Sequence, residues 1–139
     1  MKIVDTDCFT DILNGNPEYA RRFQAMPRNV RSVAIITVEE ILRGRLAMIR
    51  KFQSGGSPAQ LLLSYGHLSQ TVVSFFDLTI LPYTPPAHEH YLRLKSQKIR
   101  IGTRDLRIAS IALAHDATLI TRNRRDYELV PNLELEVWN

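Results

Sequence analysis

The chain has 139 residues, 45 % of them apolar, and a net charge of +4 at neutral pH. That length suits one globular domain spanning residues 1–139, burying about two-thirds of its unfolded surface. The apolar runs are too short for a membrane span, Cys8 has no partner for a disulfide or a zinc site, and MKIVDTD carries no signal-like core. A cytoplasmic protein is the expectation.

Lys2–Val4 reads as a short strand, followed at once by Asp5-Thr6-Asp7 and an apolar-periodic helix through Phe9, Ile12 and Leu13. Asn14-Gly15-Asn16-Pro17 breaks that helix, and Pro17 starts another through Met26. Ser32–Ile36 is a second buried strand. Thr37 then opens a long helix to about Phe52, where Thr37-Val38-Glu39-Glu40 has the pattern of a capping box. Gly44 is costly inside that helix unless something packs close to it.

Gln53–Pro58 is a loop, and a third long helix runs from Pro58 to Asp77. Leu78–Leu81 is the third strand, and Pro85-Pro86 starts a helix through about Gln97. His88 and His90 sit two apart, about 200° around a helix, and so do not share an ion. A helix from about Thr103 to His115 follows, then a strand Ala117–Ile120 and an edge strand Glu134–Trp138. Strands that are continuous apolar runs, alternating with helices, give a three-layer α/β/α domain with a parallel sheet of about five strands.

Charge is spread unevenly. Arg93 to Arg125 holds nine Lys or Arg against Asp105 and Asp116, whereas the chain from Asp126 onward holds four acids and no base. A basic stretch around a few acids suits a polyanion approaching a metal site, and equally a merely solvated positive face.

Asp105 lies on the apolar face of its helix with Leu106, Ile108, Ala109, Ala112 and Leu113. A charge placed there needs compensation, or a role at the rim of the core as a first-turn acid. Other acids arrive at the same place. In an open parallel sheet, ligands bind outside the carboxyl ends of the strands. Asp5 and Asp7 follow the first strand, Glu39 and Glu40 the second, and Asp126 with Asn123 the fourth. Each has its own plain reading as a helix cap or turn residue. Together they repel, and a hard divalent cation, Mg²⁺ or Mn²⁺, would relieve that. Such a site performs metal-assisted phosphoryl chemistry, with Arg100, Arg104, Arg122, Arg124 and Arg125 near enough in sequence to hold phosphates.

Four segments carry a family resemblance: Ile3-Val4-Asp5-Thr6-Asp7, Thr37-x-x-Glu40-Ile41-x-x-Gly44, Ile101-Gly102-x-x-Asp105-Leu106-x-Ile108-Ala109 and Leu119-Ile120-Thr121-Arg122-Asn123-x-x-Asp126-Tyr127. They resemble the four motifs of PIN-domain nucleases, and most of all the VapC-like toxins of bacterial toxin–antitoxin pairs. The closing Val130-Pro131-Asn132-Leu133…Trp138 is similar to the VapC ending, so the resemblance spans essentially the whole chain. It selects Glu40 over Glu39 and gives Gly44 a packing reason.

The resemblance implies a metal-dependent ribonuclease. Asp5, Glu40 and Asp105 would bind Mg²⁺ or Mn²⁺ directly or through water, and Asp126 would complete the site. Thr6 and Thr121 would orient ligands or water. Asp7 stands where the family usually has Asn and adds a carboxylate. Asn123 either supports a water at the metal or only shapes its turn. An antitoxin partner and a homodimer are implied as well. Two rivals compete with this reading: a catalytically silent PIN-like module that binds RNA or protein, and a receiver-like phosphoacceptor domain. The latter requires an Asp after the third strand, where Leu81-Pro82-Tyr83 stands, and a Lys beyond Lys98, where there is none.

Overall fold

A computed structural model describes residues 1–139. The elements run β1 (Lys2–Val4), α1 (Thr6–Leu13), α2 (Pro17–Ala25), β2 (Arg31–Ala34), α3 (Ile35–Ser54), α4 (Pro58–Ser74), β3 (Thr79–Leu81), α5 (Pro85–Ser96), α6 (Thr103–Ala114), β4 (Thr118–Thr121), α7 (Arg124–Tyr127) and β5 (Leu135–Val137). All five strands are parallel, in the order β3-β2-β1-β4-β5. The three-layer α/β/α expectation holds.

Successive strand residues point to opposite faces of the sheet. Ile3 and Leu119 therefore join the core under α5 and α6, whereas Val4, Val33 and Ile120 join the core with Phe9, Phe23 and Trp138 under α1 and α2. Both faces are covered, which is why the strands read as unbroken apolar runs.

Pro17, Pro58 and Pro85 each begin a helix, capped by Asn16, Ser57 and Thr84 respectively. Ser57 and Gln60 complete a true capping box. The long helix expected from Pro58 to Asp77 ends at Ser74, and Phe75–Asp77 tighten into a single 3₁₀ turn.

The clearest difference lies at the start of α3. The strand expected to run to Ile36 stops at Ala34, and the helix begins at Ile35 with Ala34 as an N-cap that makes no side-chain hydrogen bond. Thr37 is thus already inside the helix, and the Thr37–Glu40 capping box does not form.

The chain moves from β1 to β2 and β3 on one side, then crosses to β4 and β5 on the other. The switch point of the sheet therefore lies between β1 and β4, whose register pairs Val4 with Ile120.

Candidate active site

Asp5 stands at that switch point. Its N–H donates to the Ile120 carbonyl, so it continues the β1–β4 ladder. Its carboxylate caps α1 by accepting from the Cys8 N–H at 2.9 Å, and accepts from the Thr121 hydroxyl at 2.5 Å. Asp5 is only 4 % exposed. It is at once a helix cap and a buried acid, so its two readings coexist. Burial pushes its carboxyl up from the ordinary 3.8; the hydrogen bonds from Thr121 and Cys8 oppose this, and Asp7 adds repulsion. Cys8 lies beneath it, fully buried, and burial together with the Asp5 charge pushes its thiol up.

Glu40 comes from α3 on the other side of β1. The Thr6 hydroxyl donates to its Oε1 at 2.9 Å and lies 2.9 Å from the Thr37 hydroxyl. A hydroxyl has one hydrogen to give. Thr6 spends its own on Glu40, so Thr37 must donate to Thr6. A relay Thr37→Thr6→Glu40 therefore replaces the capping box and explains why Thr37 is completely buried. Burial raises the Glu40 carboxyl; Thr6 and Arg104 pull it down, while Asp105 and Asp7 push it up.

Asp105 is the third residue of α6, whose N-cap, Gly102, offers no side chain. It is half-buried, and burial raises its carboxyl, with further repulsion from Asp7 and Asp126. The Tyr127 hydroxyl faces Asp105 and favours its charged form. Tyr127 is 1 % exposed and its hydroxyl has no partner of full hydrogen-bond geometry, an orphan at the wall of the acid cluster. Asp126 is half-buried in α7. It accepts from Asn123 Nδ2 at 2.9 Å and donates its N–H to Asn123 Oδ1 at 3.3 Å. Asn123 is thereby the cap of α7, and its side chain is spent on shaping the turn. Asp7 is exposed in the first turn of α1.

Asp5, Asp7, Glu40, Asp105 and Asp126 thus gather at one end of the sheet, where the Asp7 charge helps raise the carboxyls of Asp5, Glu40 and Asp105, and Asp126 adds to the rise at Asp105. No three of them close into a ready-made metal cage. The donors are all hard oxygens, Arg104 is the one cation paired with any of them, and the cluster is open at Asp7. That chemistry fits a divalent ion that keeps most of its own waters.

The arginines divide. Arg104 lies 3.8 Å from Glu40, at the cluster itself. Arg122 is tied to Asp11 at 2.5 Å, and Arg124 pairs loosely with Glu128 at 3.6 Å. Arg100 and Arg125 are exposed. No pattern in the sequence marks Arg45, which with Arg104, Thr6, Thr10, Asn14 and Glu40 lines a cavity of about 320 Å³ beside the acids. Gly44 is on the same wall, and a Cβ built there meets nothing within 4 Å. The packing reason expected for Gly44 is therefore wrong: this glycine borders open space.

Comparisons with known proteins agree with this architecture. The PIN domain model matches residues 2–131. Ribonuclease VapC2 of Rickettsia felis is 26 % identical over 143 residues, covering 99 % of this chain and 97 % of its own. Among solved structures, VapBC2 from Rickettsia felis bound to a promoter DNA fragment superposes with a TM-score of 0.78 at 24 % identity, covering 99 % of this chain and 98 % of that one. A toxin–antitoxin complex from Klebsiella pneumoniae gives a TM-score of 0.72 at 21 % identity over 96 % and 95 % of the two chains. With a family model spanning all four acid-bearing segments and the same fold in these relatives, the chain belongs to the PIN-domain family.

Proposed function

We propose that the chain is a divalent-metal-dependent endoribonuclease that hydrolyses RNA phosphodiester bonds, acting as the toxin of a VapBC-like pair. Residues 1–139 would form one nuclease domain. The observation that carries this reading is the convergence of five carboxylates from four separate segments, three of them with pKa values raised by burial. Such a cluster costs stability that a bound cation would restore by neutralising it.

Asp5, Glu40, Asp105 and Asp126 would hold Mg²⁺ or Mn²⁺, with Asp7 available as a further exposed carboxylate. A bound ion of this kind acidifies an attacking water and stabilises charge on phosphate oxygens. The protein's own part is positioning. Thr121 and the Cys8 N–H fix one Asp5 oxygen each, and the Thr37–Thr6 relay fixes Glu40. Arg104, Arg100, Arg124 and Arg125 would hold the RNA backbone, with Arg122 first having to leave Asp11.

An antitoxin partner is supported by exposed apolar side chains on α3, on α4 and in the 3₁₀ turn that follows it, among them Leu46, Met48, Leu62, Leu63, Val73 and Phe76. The relatives' complexes point the same way, and a homodimer is part of the same proposal. No helix is long and apolar enough to cross a membrane, in keeping with the proposed cytoplasmic site of action.

Calorimetric titration of Mn²⁺ into metal-stripped protein, wild type beside Asp105→Asn, tests the metal site, and cleavage of pooled RNA tests the activity. Saturable Mn²⁺ binding and RNA cleavage, both lost in Asp105→Asn, are expected. RNA binding without turnover in the Mn²⁺-loaded wild type would instead identify a silent module.

A further inference from the structure

The cavity beside the acids continues away from them. A second polar cavity of about 280 Å³, lined by Leu13, Asn14, Arg45, His67, Gln70 and Thr71, shares three of its residues with the first. The two form one track that leaves Glu40, passes Arg45 and ends between α1 and α4. Glu40, at its catalytic end, is the only acid along it.

Arg45 is built into this track. Its Nε donates to Thr71 Oγ1 at 3.0 Å, and the Thr71 hydroxyl in turn donates to the His67 carbonyl at 2.8 Å. Thr71 is 1 % exposed, so the anchor is rigid. The terminal amino groups of Arg45 have no carboxylate within salt-bridge reach. Arg43, two residues earlier, points elsewhere and pairs with Glu39 at 3.2 Å. A guanidinium oriented from behind, with its fork left free, is poised for a planar anion. Gly44 adds a second, independent sign. A mid-helix glycine lowers helix stability relative to alanine, and no neighbour here requires its missing Cβ. Its bare backbone widens the track one helical turn from Glu40.

We propose that this track is the binding subsite for the single-stranded RNA flanking the scissile bond, with Arg45 holding a backbone phosphate and Gly44 leaving room for the strand. This rests on the ribonuclease reading above. The polar lining and the unpaired cation favour a nucleic acid over a polypeptide, for which the apolar face of α3 and α4 is the better match.

The test uses a fluorescein-labelled, mixed-sequence single-stranded RNA. Its binding is followed by anisotropy in EDTA over a salt series, beside cleavage kinetics in Mn²⁺. Arg45→Ala should weaken binding about tenfold and lower the slope of log affinity against log salt by about 0.7. It should raise KM while kcat holds. Arg45→Lys should restore the slope but not the full affinity. Gly44→Leu should weaken binding without changing the slope, and Arg43→Ala should match wild type. A slope and KM unchanged in Arg45→Ala would overturn the proposal and leave the track to a polypeptide; so would an equal loss in Arg43→Ala. Wild-type protein that binds RNA through Arg45 but never cleaves it would refute the nuclease reading and keep the track. Wild-type protein that neither binds nor cleaves RNA would refute both.

Discussion

Replacing Thr121 with valine probes the floor of the acid cluster with almost no change of shape. The hydroxyl, wholly buried, donates to Asp5 at 2.5 Å and accepts from the Asn123 N–H at 2.9 Å. Valine deletes both bonds and admits no water in their place. A hydrogen bond to a charged group is worth about 1.5–3 kcal/mol and a neutral one about 1 kcal/mol, so the loss should be about 3 kcal/mol. With an unfolding entropy of about 2.1 cal/mol/K per residue, a chain of 139 residues should melt about 10 °C lower. Circular dichroism melts of metal-free protein measure this directly. The loss should shrink as pH falls through the raised Asp5 pKa, because protonation removes the charge from the stronger bond. A drop under about 1 kcal/mol, or one that does not vary with pH, would refute the assignment of Thr121 as the group that holds the Asp5 charge.

The acids themselves give a prediction of opposite sign. Asp5, Glu40 and Asp105 all have folded pKa values above their ordinary 3.8, 4.5 and 3.8. Between the ordinary and the raised values the folded chain binds more protons than the unfolded one, so metal-free stability should fall as pH rises through that window. Asp105→Asn should therefore melt higher than wild type near neutral pH without metal, the gap closing in acid, and Mn²⁺ should raise the melting temperature of wild type alone. Gly44→Ala should gain about 1 kcal/mol, or roughly 3 °C, since its Cβ meets nothing within 4 Å; a melt at or below wild type would show an undetected clash. Tyr127→Phe removes a buried hydroxyl that lacks a well-formed partner, so its stability should stay within about 1 kcal/mol of wild type or exceed it. A loss above about 2 kcal/mol would mean that the hydroxyl is fully bonded after all.

The acids were legible in the sequence because the sheet's parallel order turns sequence position into place: whatever follows a strand arrives at the same end. The strand and helix periodicities carried the bounds of the long elements to within three residues, the largest miss being the end of α4 at Ser74. What escaped the sequence depends on partners far along the chain. Thr37 looked like a cap because local spacing allowed it, and its hydroxyl is instead committed to Thr6, 31 residues away. Arg122 looked free for phosphate and is bound to Asp11, 111 residues away. Arg45 had no distinguishing neighbour in sequence; its meaning comes from Thr71 on the facing helix. Gly44 was correctly marked as costly, but whether a glycine meets a neighbour or borders empty space cannot be read from one chain segment.

The burial of Cys8 under Asp5 has a practical consequence. It is the chain's only cysteine, and its thiol is fully enclosed and held protonated by its surroundings. Alkylating reagents attack the thiolate, so the native protein should resist them and the opened one should not. Modification at this single sulfur would then time the opening of the floor beneath the acids, with no engineered label and no background from other sites. A cation that ties the acids together should slow that reaction, turning one inert side chain into a clock for how firmly the cluster is closed.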